Sequence, residues 1–176
     1  MSAVYYSFWL IPQERDLAYF QGIINTLAKQ FDTVPFSPHV TLYSGSLPAS
    51  LAVESVLSAL SSSPVELEVI TLNHELQFSK TLYVQLSQNV WLNQLVNDLA
   101  AAIPDAQPPK LDPHLSLLYH QRLDAATKQT LIETLVLPRP TIRFDQVQAI
   151  AASENFETQD HVVSLRCVHR QLLTAP

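Results

Sequence analysis

The alternation of apolar and polar residues along the chain predicts strands and helices in a regular order. Val4–Ile11 is aromatic and β-branched and is followed by a proline, which predicts a strand. Glu14–Phe31 carries apolar residues at steps of three and four, which predicts an amphipathic helix. A strand, a helix and a strand are then predicted at Val40–Tyr43, Pro48–Leu60 and Val65–Leu72.

The same order of elements returns in the second part of the chain. Strands and helices alternate there again, at Thr81–Leu86, Trp91–Ile103, Leu115–Leu118, Asp124–Val136 and Thr141–Ala152. A last strand is predicted at His161–Arg170, after an acidic turn region at Glu154–Asp160. We therefore expect a single domain over residues 1–176. It is built from duplicated halves, roughly 1–75 and 76–155, plus a C-terminal strand.

Each predicted half contains one copy of a short motif, Pro-His-apolar-hydroxyl-Leu. The copies are Pro38–Leu42 and Pro113–Leu117. Their histidines each lie 28 residues after the end of the first strand of their half, at His39 and His114. Side chains two positions apart on a strand share a face, so each histidine points the same way as the hydroxyl that follows it. Two such copies at matched positions predict one shared site.

Two imidazoles and two hydroxyls that face one cavity suit the cleavage of a phosphodiester. A neutral histidine can take a proton from water, and a protonated one can give a proton to the leaving oxygen. The ordinary pKa of histidine lies close enough to neutral pH for both roles. The hydroxyls of Thr41 and Ser116 can donate hydrogen bonds to the phosphate oxygens on which charge gathers. We therefore predict His39, His114, Thr41 and Ser116 as catalytic residues.

Composition excludes several other kinds of phosphate site. The only glycines, Gly22 and Gly45, are too few and too far apart for a P-loop or a dinucleotide-binding fingerprint. The net charge of −6 argues against binding to long nucleic acid, because such binding requires clustered cations. The single cysteine, Cys167, excludes an internal disulfide and any multi-cysteine zinc site, and we predict it to be a buried, inert thiol. We expect no metal and no cofactor.

The sequence also bears on location. Met1–Tyr19 lacks the basic start and the apolar run of a signal peptide, and no stretch has the 18 or so apolar residues of a membrane span. With one cysteine, a reducing compartment is the simplest interpretation. We therefore expect a cytoplasmic protein that does not bind a membrane.

Three segments resemble one known family. Tyr6–Pro12, Pro38–Leu42 and Pro113–Tyr119 are similar to segments of the cyclic phosphodiesterase branch of the two-histidine phosphoesterase superfamily. The resemblance implies a bilobal α+β fold. Two antiparallel sheets, related by a pseudo-two-fold, would face a central cleft, with the helices outside. It also implies hydrolysis of a small cyclic phosphodiester, either ADP-ribose 1″,2″-cyclic phosphate or a nucleoside 2′,3′-cyclic phosphate.

The resemblance also assigns roles to individual residues. The family's catalytic histidines fall on His39 and His114 and its hydroxyls on Thr41 and Ser116, with His114 favoured as the base and the opposite assignment open. Substrate-binding roles are predicted for four further residues: Tyr119, Trp9, Ser7 and Phe78. Trp9 either stacks on a base or packs in the core, and Tyr119 reaches the site only if its strand ends near Leu118. Phe78 and Lys80 would line the second side of the cleft.

Two alternatives stay open at this point. One is an RNA end-processing or 2′-5′ phosphodiesterase, which would need a basic rim formed by Lys80, Lys110, Arg122 and Arg143. The other is a non-catalytic module that binds a nucleotide in the same cleft. Retention of two histidines argues against the second, because binding alone needs no acid–base pair.

Overall fold

The computed structural model describes residues 4–60, 63–137 and 139–174, and the fold is of the predicted α+β class. The strands are β1 (Val4–Pro12), β2 (Val40–Leu47), β3 (Val65–Asn73), β4 (Leu82–Leu86), β5 (His114–Leu118), β6 (Thr141–Ala151) and β7 (Arg166–Leu172). The helices are α1 (Glu14–Gln30), α2 (Val53–Ser58), α3 (Val90–Ala101), α4 (Ala125–Thr134) and α5 (Gln159–Ser164). A single 3₁₀ turn at Phe78–Lys80 leads into β4.

Three predicted elements differ from the structure by several residues. The strand predicted at Val40–Tyr43 continues to Leu47, because Val4–Ser7 of β1 pairs with Ser44–Leu47. The helix predicted at Pro48–Leu60 begins only at Val53, because the segment before it forms a turn in which the Leu51 amide donates to the Pro48 carbonyl. The strand predicted from His161 is wrong at its start. Thr158 caps a short helix there through its hydroxyl, and β7 begins at Arg166.

The strands form one continuous antiparallel path in the order β2-β1-β6-β3-β4-β5, and β7 pairs with β6. The two sheets implied by the resemblance are therefore joined rather than separate. Strand β3 makes the join, since Val65–Glu68 pairs with β6 and Val69–Asn73 pairs with β4. When β1, β2 and β3 are exchanged with β4, β5 and β6, the result is the same strand order read from its other end. A duplicated chain would have this property.

The ends of this path approach each other, which positions the two motifs. Strands β2 and β5 lie at opposite ends of the order and yet contact one another, so the sheet nearly closes. On both strands the apolar residues of the motif, Val40, Leu42, Leu115 and Leu117, are at most 1% exposed. Burying them fixes which face of each strand carries the histidine and the hydroxyl.

The helices cover the outer side of the apolar core. Helix α1 buries Phe20, Ile24 and Leu27 and contacts β1 and β5. Helix α4 begins at the predicted cap, where the Asp124 carboxylate accepts a hydrogen bond from the Thr127 amide. Within the described part of the chain, no helix has both the length and the apolar character needed to span a membrane.

Candidate active site

Each motif histidine is held by its own backbone. Nδ1 of His39 lies 2.6 Å from the Ser37 carbonyl, and Nδ1 of His114 lies 2.7 Å from the Asp112 carbonyl. A carbonyl only accepts, so Nδ1 carries the proton and Nε2 of the neutral ring is left with the lone pair. A proline stands between donor and acceptor in both motifs and biases the residue before it toward extended backbone. The Pro-His pair thus fixes both ring orientation and tautomer.

Both rings line one cavity of about 280 Å³. In the described chain, neither Nε2 atom has a hydrogen-bond partner. Every fully buried side-chain nitrogen or oxygen of the described chain has a partner, so neither Nε2 atom is fully buried and both are open to solvent. The structure brings seven of the eight predicted site residues into this lining: His39, His114, Thr41, Ser116, Tyr119, Trp9 and Ser7. Phe78 is the exception: it packs against Tyr119, with ring centroids 5.6 Å apart, and lines an adjoining cavity instead.

Trp9 stacks on the imidazole of His39. The two ring centroids are 3.5 Å apart and the planes differ by 4°. The indole nitrogen donates to Ser7 Oγ at 2.8 Å, and Ser7 Oγ pairs with Ser44 Oγ at 2.9 Å. The imidazole therefore occupies one face of Trp9, and that face is not free to stack on a base. Trp9 is also more than a core residue, because it supports the imidazole and is itself held by the serines.

Burial dominates the electrostatics of His39. The residue is 6% exposed, and burial lowers the pKa of its imidazole to about 3, with the Ser37 carbonyl opposing part of the shift. The stack on Trp9 favours the charged ring by about 0.5–2 kcal/mol, roughly one pKa unit. That is too little to restore an ordinary pKa, so His39 is neutral near pH 7.

His114 has a more polar environment. Its ring meets the edge of Tyr83 at 5.4 Å, and it is half-buried. Burial again lowers the pKa of the imidazole, and the hydrogen bond to the Asp112 carbonyl opposes the shift. Nζ of Lys80 lies 2.7 Å from both Asp112 Oδ2 and Glu75 Oε1. Lys80, predicted to line the cleft, is 7% exposed. Its ion pair with Asp112 anchors the residue whose carbonyl accepts the hydrogen bond from His114.

Tyr119 reaches the cavity because β5 ends one residue before it. Its ring stacks on Phe36, with centroids 3.7 Å apart and planes 7° apart, and Phe78 and Phe156 pack around it. Burial raises the pKa of the Tyr119 phenol, so it stays a hydrogen-bond donor across the neutral range. Ser116 lies beside it and donates to the Ser79 carbonyl at 2.6 Å, so its single hydroxyl hydrogen is engaged by the backbone and does not point to a phosphate as predicted.

Sequence reasoning missed several lining residues: Tyr5, Ser44, Gln77, Ser79, Ser153, Glu154 and Phe156. Tyr5 had a signal, since it shares its strand face with Ser7 and Trp9. Ser44 faces Ser7 across the pairing of β1 with β2, a register that includes a bulge. The others come from the segments that follow β3 and β6, whose path depends on the closed sheet.

The prediction for Cys167 can be compared with the geometry. Cys167 is exposed rather than buried, because β7 lies at the margin of the sheet and the side chain points away from the core. Among the described residues, no three His, Cys, Asp or Glu side chains are grouped closely enough to hold a metal ion.

The comparisons with known proteins agree with this architecture. Solved structures with the same fold include Escherichia coli LigT complexed with 3′-AMP, with a TM-score of 0.57 and 18% identity over 98% of this chain and 99% of that chain. LigT complexed with ATP has a TM-score of 0.54 and 19% identity over 99% of both chains. TT0787 of Thermus thermophilus has a TM-score of 0.59 and 13% identity over 97% of this chain and 98% of that one. No curated protein matches the chain.

The fold and the paired histidine motifs define a member of the two-histidine phosphoesterase superfamily. A family described as cyclic phosphodiesterase-like protein matches residues 4–167. The chain belongs to that family. Membership indicates phosphodiesterase activity in general terms.

Proposed function

We propose that this protein hydrolyses a small cyclic phosphodiester without a metal, using His39 and His114 as an acid–base pair. One observation carries the proposal. Two histidines, each with Nδ1 fixed to a carbonyl, leave both Nε2 atoms open to the same hydroxyl-lined cavity. Candidate substrates are nucleoside 2′,3′-cyclic phosphates and ADP-ribose 1″,2″-cyclic phosphate. The LigT complexes with 3′-AMP and ATP support a nucleotide-type ligand.

The reaction needs two proton transfers and no redox change. Nε2 of one neutral histidine takes a proton from water as the water oxygen bonds to phosphorus. The bond from phosphorus to one ring oxygen breaks, and Nε2–H of the other, protonated histidine gives that oxygen a proton. The product is a phosphomonoester beside a free hydroxyl. The histidines exchange protonation states, and solvent restores them.

The two environments favour His39 as the base and His114 as the acid. His39 is the more deeply buried ring, and its lowered pKa of about 3 keeps it unprotonated. His114 is only half-buried, and burial lowers its pKa too, with the Asp112 carbonyl opposing the shift, Lys80 adding to it and the carboxylates of Asp112 and Glu75 opposing it. An anionic phosphate in the cavity would favour the charged form of His114. This assignment is the reverse of the one that the family resemblance favours.

Hydroxyl groups would hold the phosphate, since the cavity lining has no lysine or arginine among the described residues. Thr41 is exposed to the cavity, and Tyr119 is a buried phenol beside Ser116. Each can donate a hydrogen bond to a non-bridging oxygen, and donors fixed in advance stabilise the transition state most.

The test is turnover of both cyclic phosphates in EDTA, followed by phosphorus NMR. We expect His39→Asn and His114→Asn each to lower turnover by about 10²–10⁴-fold. His74→Asn, which lies outside the cavity lining, is the matched control. Near-native turnover by either motif variant would refute the acid–base mechanism, and loss of native activity in EDTA would indicate a metal mechanism.

The two alternatives give different results in the same experiment. A non-catalytic module would bind nucleotides without forming product. An RNA-directed enzyme would lose activity steeply with added salt, because counterion release governs such binding. The residues proposed for a basic rim do not support the RNA-directed alternative. Lys110, Arg122 and Arg143 are exposed outside the cavity lining, and Lys80 is committed to two carboxylates.

A further inference from the structure

A second, larger cavity of about 610 Å³ adjoins the candidate active site. The two cavities share four lining residues, Gln77, Ser79, Glu154 and Phe156. A cyclic phosphate bound between the histidines would therefore extend its remaining part into this second space. Its lining determines which substituents that part of the substrate can carry.

The second cavity is lined mainly by amides, two aromatic rings and carboxylates. Gln77, Gln121 and Asn155 supply the amides, and Phe156 and the more deeply buried Phe78 supply the rings. The side chain of Gln121 donates to the Glu157 carbonyl at 2.9 Å, which leaves its amide oxygen as an acceptor. Amides and an aromatic face suit an uncharged heterocycle or sugar, because they offer donors, acceptors and a stacking surface without charge.

The charges that line the two cavities, apart from the histidines, are negative. Glu154 lines both cavities and Glu157 lines the second, and no lysine or arginine of the described chain lines either. The ion pairs found in the described residues join Lys80 to Glu75 and Asp112, and Arg139 to Asp16. Neither glutamate takes part in them, so no cation neutralises these carboxylates there. The charge of Glu154 reaches the cavity wall, where it adds to burial in raising the pKa of Tyr5.

We infer that Glu154 and Glu157 are specificity-determining residues that select against phosphate groups other than the reacting one. The inference rests on the proposed function, since the reacting phosphate is taken to lie between His39 and His114. A 5′-phosphate adds about −1.5 to −2 charges at pH 7. Placed in the second cavity, it would meet two carboxylates and no cation. The preferred substrate class therefore carries a single phosphodiester charge and an uncharged remainder. Of the two candidates proposed above, this favours nucleoside 2′,3′-cyclic phosphates over ADP-ribose 1″,2″-cyclic phosphate, whose diphosphate would meet the same carboxylates, and it also disfavours oligonucleotides.

A matched pair of ligands isolates this effect from catalysis. Adenosine 3′-monophosphate and adenosine 3′,5′-bisphosphate differ only in the 5′-phosphate, and calorimetry gives the dissociation constant of each. We expect the native protein to bind the monophosphate more tightly. Glu154→Gln and Glu157→Gln should each reduce the ratio of the two constants about three- to tenfold at low salt, from the Coulomb energy in water of a phosphate of about two charges lying about 6–10 Å from one carboxylate. The reduction should shrink as salt is added.

Glu54→Gln is the control, because it removes one exposed carboxylate on α2, away from both cavities, and changes net charge equally. The rates for adenosine 2′,3′-cyclic phosphate, with and without a 5′-phosphate, are measured in parallel. Equal binding of both ligands by the native protein, no binding of either, or a ratio unchanged in both glutamate variants would overturn the inference. Discrimination in binding without turnover of any cyclic phosphate would uphold the inference and refute the proposed hydrolysis. Turnover without discrimination would do the opposite.

Discussion

The neutral state of His39 can be tested through the pH dependence of folding. His39 is 6% exposed, and burial lowers the pKa of its imidazole to about 3 in the folded protein. In the unfolded chain the pKa returns to about 6.5. Between these values the unfolded state binds more protons, so stability increases with pH across this window. The contribution is therefore complete above about pH 6.5 and is lost as the pH falls toward about 3.

The size of the effect follows from the two pKa values. Protonating the unfolded imidazole at pH 5 lowers the free energy of unfolding by about 2 kcal/mol relative to pH 7.5, for a folded pKa of about 3. If the stack on Trp9 stabilised the imidazolium by about 2 kcal/mol, the folded pKa would still be about 4.5. The expected loss at pH 5 would then change by only a few tenths of a kcal/mol.

Urea unfolding at pH 7.5 and at pH 5.0, followed by tryptophan fluorescence, measures this difference. The native protein should lose about 2 kcal/mol more between the two pH values than His39→Asn, whose amide can still donate to the Ser37 carbonyl. His74→Asn is the control, because it removes a histidine outside the cavity. The same loss in native protein and His39→Asn would show that the folded state protonates His39 readily, which would refute the account that burial keeps this imidazole neutral.

Two further predictions concern the residues that support the histidines. Trp9→Leu should lower kcat/KM about two- to tenfold, because a stacked pair contributes about 0.5–1.5 kcal/mol to holding the ring of His39; steady-state kinetics with a circular-dichroism check on folding would test it. Lys80→Met should lower the free energy of unfolding at pH 7.5 by about 1–2 kcal/mol, discounted for the exposure of Glu75 and Asp112. Lys80 lowers the pKa of both carboxyls, so the deficit should shrink as the pH falls through their range, and a deficit that grew in acid would contradict the ion-pair account.

Local pattern predicted most of the fold because the core strands and long helices have clear periodicity. The spacing of His39 and His114 predicts a duplication, and the continuous strand order is compatible with that prediction. The error at His161–Arg170 has a local cause. Val162 is buried and Val163 is 55% exposed. One buried and one exposed neighbour occur in a strand and in a helix alike, and the Thr158 cap is what makes this segment a helix. The two sheets are joined because β3 pairs with both β4 and β6. The pairing with β6 is between residues far apart in the chain, so no local sequence pattern predicts it.

The site was predictable where a side chain belongs to a strand and less so where it depends on the closed sheet. Alternation placed Thr41 and Ser116 on the same faces as the histidines, and both line the cavity. The role of Trp9 was not predictable, because the stack depends on the bulge that sets Trp9 opposite Thr41. Glu154 could be found only once the segment after β6 was seen to pass over the cavity.

The duplicated motifs have one property that sequence symmetry cannot explain. Two identical Pro-His units in identical surroundings would give no preferred base and no preferred acid, whereas acid–base catalysis uses one neutral ring and one charged ring at the same pH. The surroundings differ in the necessary direction. An indole and Phe36 enclose His39, while the backbone of His114 is tied to Lys80 and two carboxylates. Burial lowers the pKa of both rings, and the motifs supply equal geometry, so the neighbours of each ring and not the motifs themselves decide which histidine acts as the base.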